Sequence, residues 1–145
     1  MGRSLIVYFS ATGTTAKVAQ RIAKRCEGVL YEIQPELPYT DSDLDWHDKH
    51  SRSTVEMQDP ASRPAIVSTL PDIAKYDRIY LGFPIWWGVA PRVVNSFLDQ
   101  VDLTGKAVHV FVTSGSSGVD EAVADLKRLY PKLDIVEAER FGAII

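Results

Sequence analysis

Five short apolar runs, 5–9, 29–33, 78–83, 107–112 and 133–136, alternate with stretches of helical spacing, and this alternation constrains the fold more than any other feature. Leu5-Ile-Val-Tyr-Phe9 and Ala107-Val-His-Val-Phe-Val112 are rich in β-branched and aromatic residues, the pattern of strands buried in a parallel sheet. Between the runs, Val18, Ala19, Ile22, Ala23 and Cys26 recur at helical spacing with Lys17, Gln20, Arg21, Lys24 and Arg25 opposite them. Val94, Phe97, Leu98 and Val101 repeat the pattern after Pro91, as do Val119, Val123, Leu126 and Leu129 before Pro131. Ser117, three residues before Asp120, resembles the start of a capping box for that last helix. Strands joined through helices must cross over in the right-handed sense, which makes the sheet parallel and covers both of its faces. The expected fold is therefore an α/β doubly wound sandwich, one domain over residues 1–145. The fifth strand has a possible continuation in Phe141-Gly-Ala-Ile-Ile145.

The first junction carries the strongest chemical signal. Ser10-Ala-Thr-Gly-Thr-Thr15 lies directly between a strand and an amphipathic helix, so the unpaired N–H groups of the helix's first turn point at whatever rests there. Ser10, Thr12, Thr14 and Thr15 add hydroxyl donors, and Gly13 permits a tight turn. Such a cradle suits a terminal phosphate monoester. Neither G-x-G-x-x-G nor G-x-x-x-x-G-K-[ST] occurs in the chain. The same residues also favour plain helix caps, so the hexapeptide alone leaves both readings open.

Composition narrows the function by exclusion. A net charge of -3 without a basic run gives no reason to expect nucleic acid, and no apolar run reaches membrane-spanning length. The N-terminus enters a strand directly, without a signal-peptide pattern, so a cytoplasmic location is expected. The single cysteine, Cys26, sits on the apolar stripe of the first helix as a packing residue. His109, inside a strand, is expected in the core, and Gly115-Ser-Ser-Gly118 lacks the spacing of a nucleophile elbow. The polar segment from Tyr39 to about Ala65 contains Asp41, Asp43, Asp45, His47, Asp48 and His50. Asp43, His47 and His50 would share a helical face and so invite a metal reading, but no further ligand closes the set, and no metal site is assigned. A solvated helix capped near Asp41, with Leu44 and Trp46 as its apolar contacts, is the expectation.

Ser10-x-Thr12-Gly13-x-Thr15 after an N-terminal strand resembles the phosphate loop of the flavodoxins, which bind flavin mononucleotide (FMN) through its ribityl phosphate. Gly82-Phe-Pro-Ile-Trp-Trp-Gly-Val-Ala-Pro91 and Thr113-Ser-Gly-Ser-Ser-Gly118 look like flavin-ring loops of one flavodoxin-like family. Pro38-Tyr-Thr-Asp-Ser-Asp-Leu-Asp-Trp46, Ser51-Arg-Ser-Thr-Val-Glu56 and Arg63-Pro-Ala-Ile66 also resemble it. The resemblance implies strand order 2-1-3-4-5, which brings the loops after strands one, three and four together at the sheet's switch point. It implies FMN contacts from Ser10, Ala11, Thr12, Gly13, Thr14 and Thr15, from Pro84, Ile85, Trp86, Trp87 and Gly88, and from Thr113, Ser114, Gly115, Ser116, Ser117 and Gly118. Trp87 is expected against the flavin ring, with Trp86 turned elsewhere because neighbours in an extended loop point apart.

The function implied is electron transfer between redox partner proteins, with no catalytic side chain. The alternative is an FMN-dependent NAD(P)H reductase of quinone or nitro compounds, since the third loop has no aromatic residue to cover one face of the ring. A flavin-free interaction domain is the third option. Flavodoxin-like chains usually carry a helix after the fifth strand, and none is visible here. Strands three to five are therefore expected to expose an apolar face, which a second copy would cover in a homodimer.

Overall fold

In the computed structural model, which describes residues 3–67, 69–115 and 118–142, all five strands form one parallel sheet. The elements are β1 (Ser4–Tyr8), α1 (Thr14–Cys26), β2 (Val29–Glu32), α2 (Arg52–Gln58), β3 (Arg78–Pro84), α3 (Arg92–Leu98), β4 (Ala107–Ser114), α4 (Asp120–Leu129) and β5 (Asp134–Gly142). A single 3-10 turn, Ile73–Lys75, precedes β3. The order is β2-β1-β3-β4-β5, as the resemblance implied. Among the described residues no helix is long and apolar enough to cross a membrane.

Alternation along each strand divides the core in two. Leu5, Val7, Ile79, Leu81, Phe83, Val108, Val110 and Val112 pack with Val93, Val94 and Phe97 of α3 and Ala122 and Leu126 of α4. Ile6, Tyr8 and Phe111 pack on the other face with Val18, Ala19, Ile22 and Ala23 of α1. All of α3 is buried, so its stripe widens to the whole helix. Leu129, at the end of the α4 stripe, is 39% exposed; its helix docks through Ala122 and Leu126.

Three expectations are corrected. Residues 41–50 form turns and not a helix, because side chains take over the backbone donors. Asp43 Oδ2 accepts from Thr40 N–H, Asp45 Oδ1 from His47 N–H and Asp48 Oδ1 from His50 N–H. Such local bonds compete with the helical ladder. Asp43, His47 and His50 consequently share no helical face. The helix comes later: Ser51 caps α2, its Oγ accepting from Thr54 N–H. Arg92 of α3, itself buried, closes the far end of α2 by donating from Nη2 to Met57 O at 2.9 Å and from Nε to Glu56 O at 3.3 Å.

Second, α4 begins at Asp120 with Val119 at its cap position, and no described side chain caps it. Ser117 lies outside the described residues.

Third, the sheet face beside α1 is not an apolar surface over β3 to β5. The Phe111 ring lies across Gly82, where a Cβ would fall inside the ring, and is itself 2% exposed. Phe141 meets it edge-on at 6.5 Å. Farther along, His109 is half-buried, stacks on Tyr80 at 4.8 Å, and places Nδ1 3.1 Å from Glu137 Oε2. Polar and aromatic groups thus occupy the strip that was expected to be apolar. The β4–β5 register slips between Val108 and His109. Val136, absorbed by that irregularity, stands 51% exposed.

Candidate functional site

The loops that follow β1, β3 and β4 emerge side by side at the carboxyl edge, where chain connections leave the sheet in opposite directions. In the first loop, Ser10 Oγ accepts from the N–H groups of Gly13 and Ala16, each at 3.1 Å. Ser10 therefore braces the turn from inside, with its own hydroxyl proton left to donate. Gly13 holds the cap position of α1 at φ 93°, a conformation that L side chains resist. Thr12 and Thr14 place their hydroxyls 3.5 Å apart on the loop. No described protein group accepts from the N–H groups of Thr14 and Thr15, and the first turn of α1 carries no acidic side chain. That end of the helix has the features that favour an anion: free donors, a positive dipole end and no competing carboxylate.

Thr15 is tied into the protein as well. Its side chain is buried, and its hydroxyl bonds the Thr113 hydroxyl at 2.8 Å. The pair ties the first loop to the third. Thr113, also buried, additionally accepts Ile85 N–H on its carbonyl at 3.0 Å, which joins the second loop as well.

The second loop is a two-residue hairpin turn. Trp86 N–H donates to Val89 O at 2.9 Å and Val89 N–H to Trp86 O at 3.1 Å, while Trp87 and Gly88 take φ values of 50° and 85°. Asn or Gly is usual at the first of these positions; a bulky side chain there costs conformational energy and marks the residue for attention. Its effect is to set the Trp87 indole at the tip, 49% exposed. Trp86 turns inward and packs edge-on against Phe9 at 5.7 Å and Tyr39 at 5.4 Å. Trp86 is thus the inner indole of the pair and Trp87 the outer one. Gly88 has a second constraint, because the Glu121 carboxylate of α4 rests where its Cβ would be. Pro84 is the last residue of β3 and pairs with Thr113.

In the third loop, Arg140 of β5 donates from Nε to Ser114 Oγ at 3.0 Å and from Nη2 to the carbonyls of Ser114 and Gly115 at 3.3 and 2.9 Å. This clamp was invisible in the sequence, where Arg140 is one arginine among several. Gly118 leads into α4, while Ser116 and Ser117 lie outside the described residues.

With this geometry in view, similarity to known proteins becomes informative. The flavodoxin family model matches residues 3–142. The chain belongs to the flavodoxin family. Two solved structures of proposed flavoproteins each superimpose on this flavodoxin with a TM-score of 0.94. The one from Bacteroides uniformis is 50% identical over 97% of this chain and 90% of its own, and the one from Bacteroides eggerthii is 46% identical over 97% and 89%. A flavoprotein from Lactobacillus acidophilus, solved in complex with FMN, shares the fold at a TM-score of 0.78 with 24% identity, over 97% of this chain and 93% of its own.

The loops rest on a support built from Tyr39, Arg52 and Glu56. Tyr39, which backs Trp86, donates its hydroxyl to Glu56 Oε1. The Arg52 guanidinium lies 3.9 Å from the Tyr39 ring centre and donates from Nε to Glu56 Oε2 at 2.9 Å and from Nη1 to Leu37 O at 2.6 Å. Burial first, then the bond to Glu56, holds the Tyr39 phenol far above its ordinary pKa. It stays a donor at any physiological pH. The signal that could have found this cluster is the i,i+4 spacing of Arg52 and Glu56.

Proposed function

We propose that this flavodoxin binds FMN and passes electrons between redox partner proteins. The observation that carries the reading is the free-donor cradle at the start of α1, set at the same sheet edge as an exposed, strained tryptophan. Thr12, Gly13 and Thr14, with the N–H groups of Thr14 and Thr15, would hold the phosphate. Trp87 and Gly88 would border the ring, and the backbone of Ser114 to Gly118 would meet its polar edge. When bound, FMN supplies the redox chemistry, accepting and releasing electrons one or two at a time. The protein's own part is to anchor, orient and partly shield it. Arg140 and the Thr15–Thr113 pair keep the surrounding loops in register, so that little is reorganised on binding.

A second reading, direct reduction of quinone or nitro compounds by NAD(P)H, is favoured by one feature: an apolar pocket beside Trp87. Titration of the FMN-loaded protein with NADH and NADPH, with and without a quinone, separates the two. A carrier keeps its flavin colour for many minutes until a partner reductase is added. Rapid bleaching with quinone turnover would identify the enzyme.

A further inference from the structure

Between the turns of residues 41–50 and the Trp86–Trp87 hairpin lies a pocket of about 330 Å³, lined by Leu44, Trp46, Ser53, Ile85, Trp86 and Trp87. Its volume is that of a small-ligand site. Among the described residues none of the first or third loop lines it, so it is distinct from the phosphate cradle at the start of α1. Its walls carry no charge. Two of its indoles, Trp46 and Trp87, are 66% and 49% exposed, although tryptophan is highly buried on average. The Trp46 ring lies tilted at 31° over the ring of His47, their centres 3.7 Å apart, and the His47 N–H donates to Asp45 Oδ1.

Ser53 supplies the independent observation. The residue is 2% exposed, and its Oγ has no hydrogen-bond partner among the described residues. Its backbone is pinned by the N–H bond to Asp43 O at 3.0 Å. Buried hydroxyls are nearly always paired, and an orphan one costs free energy that a ligand acceptor would return.

We propose that this pocket binds a neutral, flat aromatic carbonyl compound of naphthoquinone size, its ring against the Trp46 and Trp87 indoles and one carbonyl oxygen accepting from the Ser53 hydroxyl. An electron-poor quinone ring suits electron-rich indole faces. The uncharged walls discriminate against ionic ligands, which would lose hydration without compensation. This placement rests on the FMN reading for one point only, that the ligand lies next to the flavin and does not replace it.

The probe is menadione, titrated into FMN-loaded protein without reductant and followed by equilibrium dialysis. Naphthalene, which has the ring but no carbonyl, is the control. Menadione should bind while FMN stays in place. Ser53→Ala should weaken menadione about five- to tenfold, the worth of one ordinary hydrogen bond, and leave naphthalene unchanged. Trp46→Ala should weaken both, and neither substitution should alter FMN affinity. The proposal is overturned if menadione does not bind, if it displaces FMN, or if both variants weaken FMN as much as menadione, which would make the pocket the flavin's own ring seat. Equal loss of menadione and naphthalene in Ser53→Ala would overturn the hydrogen bond. A chain that takes up no FMN would fail the cofactor reading instead, and the same titration on the flavin-free protein would still decide the pocket.

Discussion

Ser10 and Thr12 sit two residues apart and act differently: Ser10 accepts two backbone N–H bonds within the loop, while Thr12 is exposed and offers its hydroxyl outward. Thr12→Val keeps the shape and removes one donor, so FMN should bind more weakly by about 1–3 kcal/mol, the range for a hydrogen bond to a charged oxygen. Riboflavin, which lacks the phosphate, should lose much less; equal losses in parallel fluorescence titrations would place the effect on the fold. Ser10→Ala should instead reduce stability by about 0.5–2 kcal/mol in urea unfolding, because two helix-start donors lose their acceptor. Both residues were legible in the sequence as hydroxyls at a strand–helix junction. Their division of labour was not, since spacing does not say which oxygen turns inward. Trp87 was similarly half-legible: a residue in a Trp-Trp-Gly turn is conspicuous, but its positive φ follows from the hairpin bonds between Trp86 and Val89.

Among the elements, the decisive contacts are those that fasten one strand end to another. The Thr15–Thr113 hydroxyl pair joins α1 to β4 across the buried edge. Thr15→Val or Thr113→Val alone should destabilise by about 1–3 kcal/mol, because each leaves a buried hydroxyl unpaired. The double variant should cost clearly less than the sum of the two, a coupling of about 0.5–1.5 kcal/mol in a double-mutant cycle. Additive losses would show that the two hydroxyls act independently. The strands were read to within two residues at each end except β5, whose strand extends to Gly142, and the order β2-β1-β3-β4-β5 came from resemblance alone. The 41–50 segment was misread because Asp at alternate positions satisfies backbone donors locally, an option that helical periodicity does not register. The clamp from Arg140 was missed for a related reason: it joins β5 to the β4 loop through backbone carbonyls, which have no signature in side-chain patterns.

For the molecule as a whole, buried phenols set one limit of stability. Tyr39, Tyr130, Tyr8 and Tyr31 all have pKa values raised above the ordinary 10.0, in each case first by burial, with Glu56, Asp99 and Glu32 adding to the rise at Tyr39, Tyr130 and Tyr8. A folded-state pKa above the unfolded one means that the unfolded chain loses its protons first. The stabilisation is complete below the ordinary value and declines as pH rises above it. Urea midpoints should therefore be level up to about pH 9 and fall steeply above about pH 10. Tyr39→Phe should make that fall shallower while lowering the neutral-pH midpoint, because Glu56 Oε1 loses its donor; an unchanged slope would show that Tyr39 does not contribute. The character of the sheet face beside α1 was the largest error at this scale: an apolar surface was expected over β3 to β5, whereas Gly82 lets Phe111 lie down on the sheet, and Tyr80, His109 and Glu137 take the remaining strip. The most direct test of the central claim, that three loops at one sheet edge form a seat for FMN, is to extract and quantify the flavin from purified protein. About one FMN per chain, with FAD taken up poorly in reconstitution, is the expected result for a cradle built around a terminal phosphate. A colourless protein that FMN does not reconstitute, or one that prefers FAD, would contradict it.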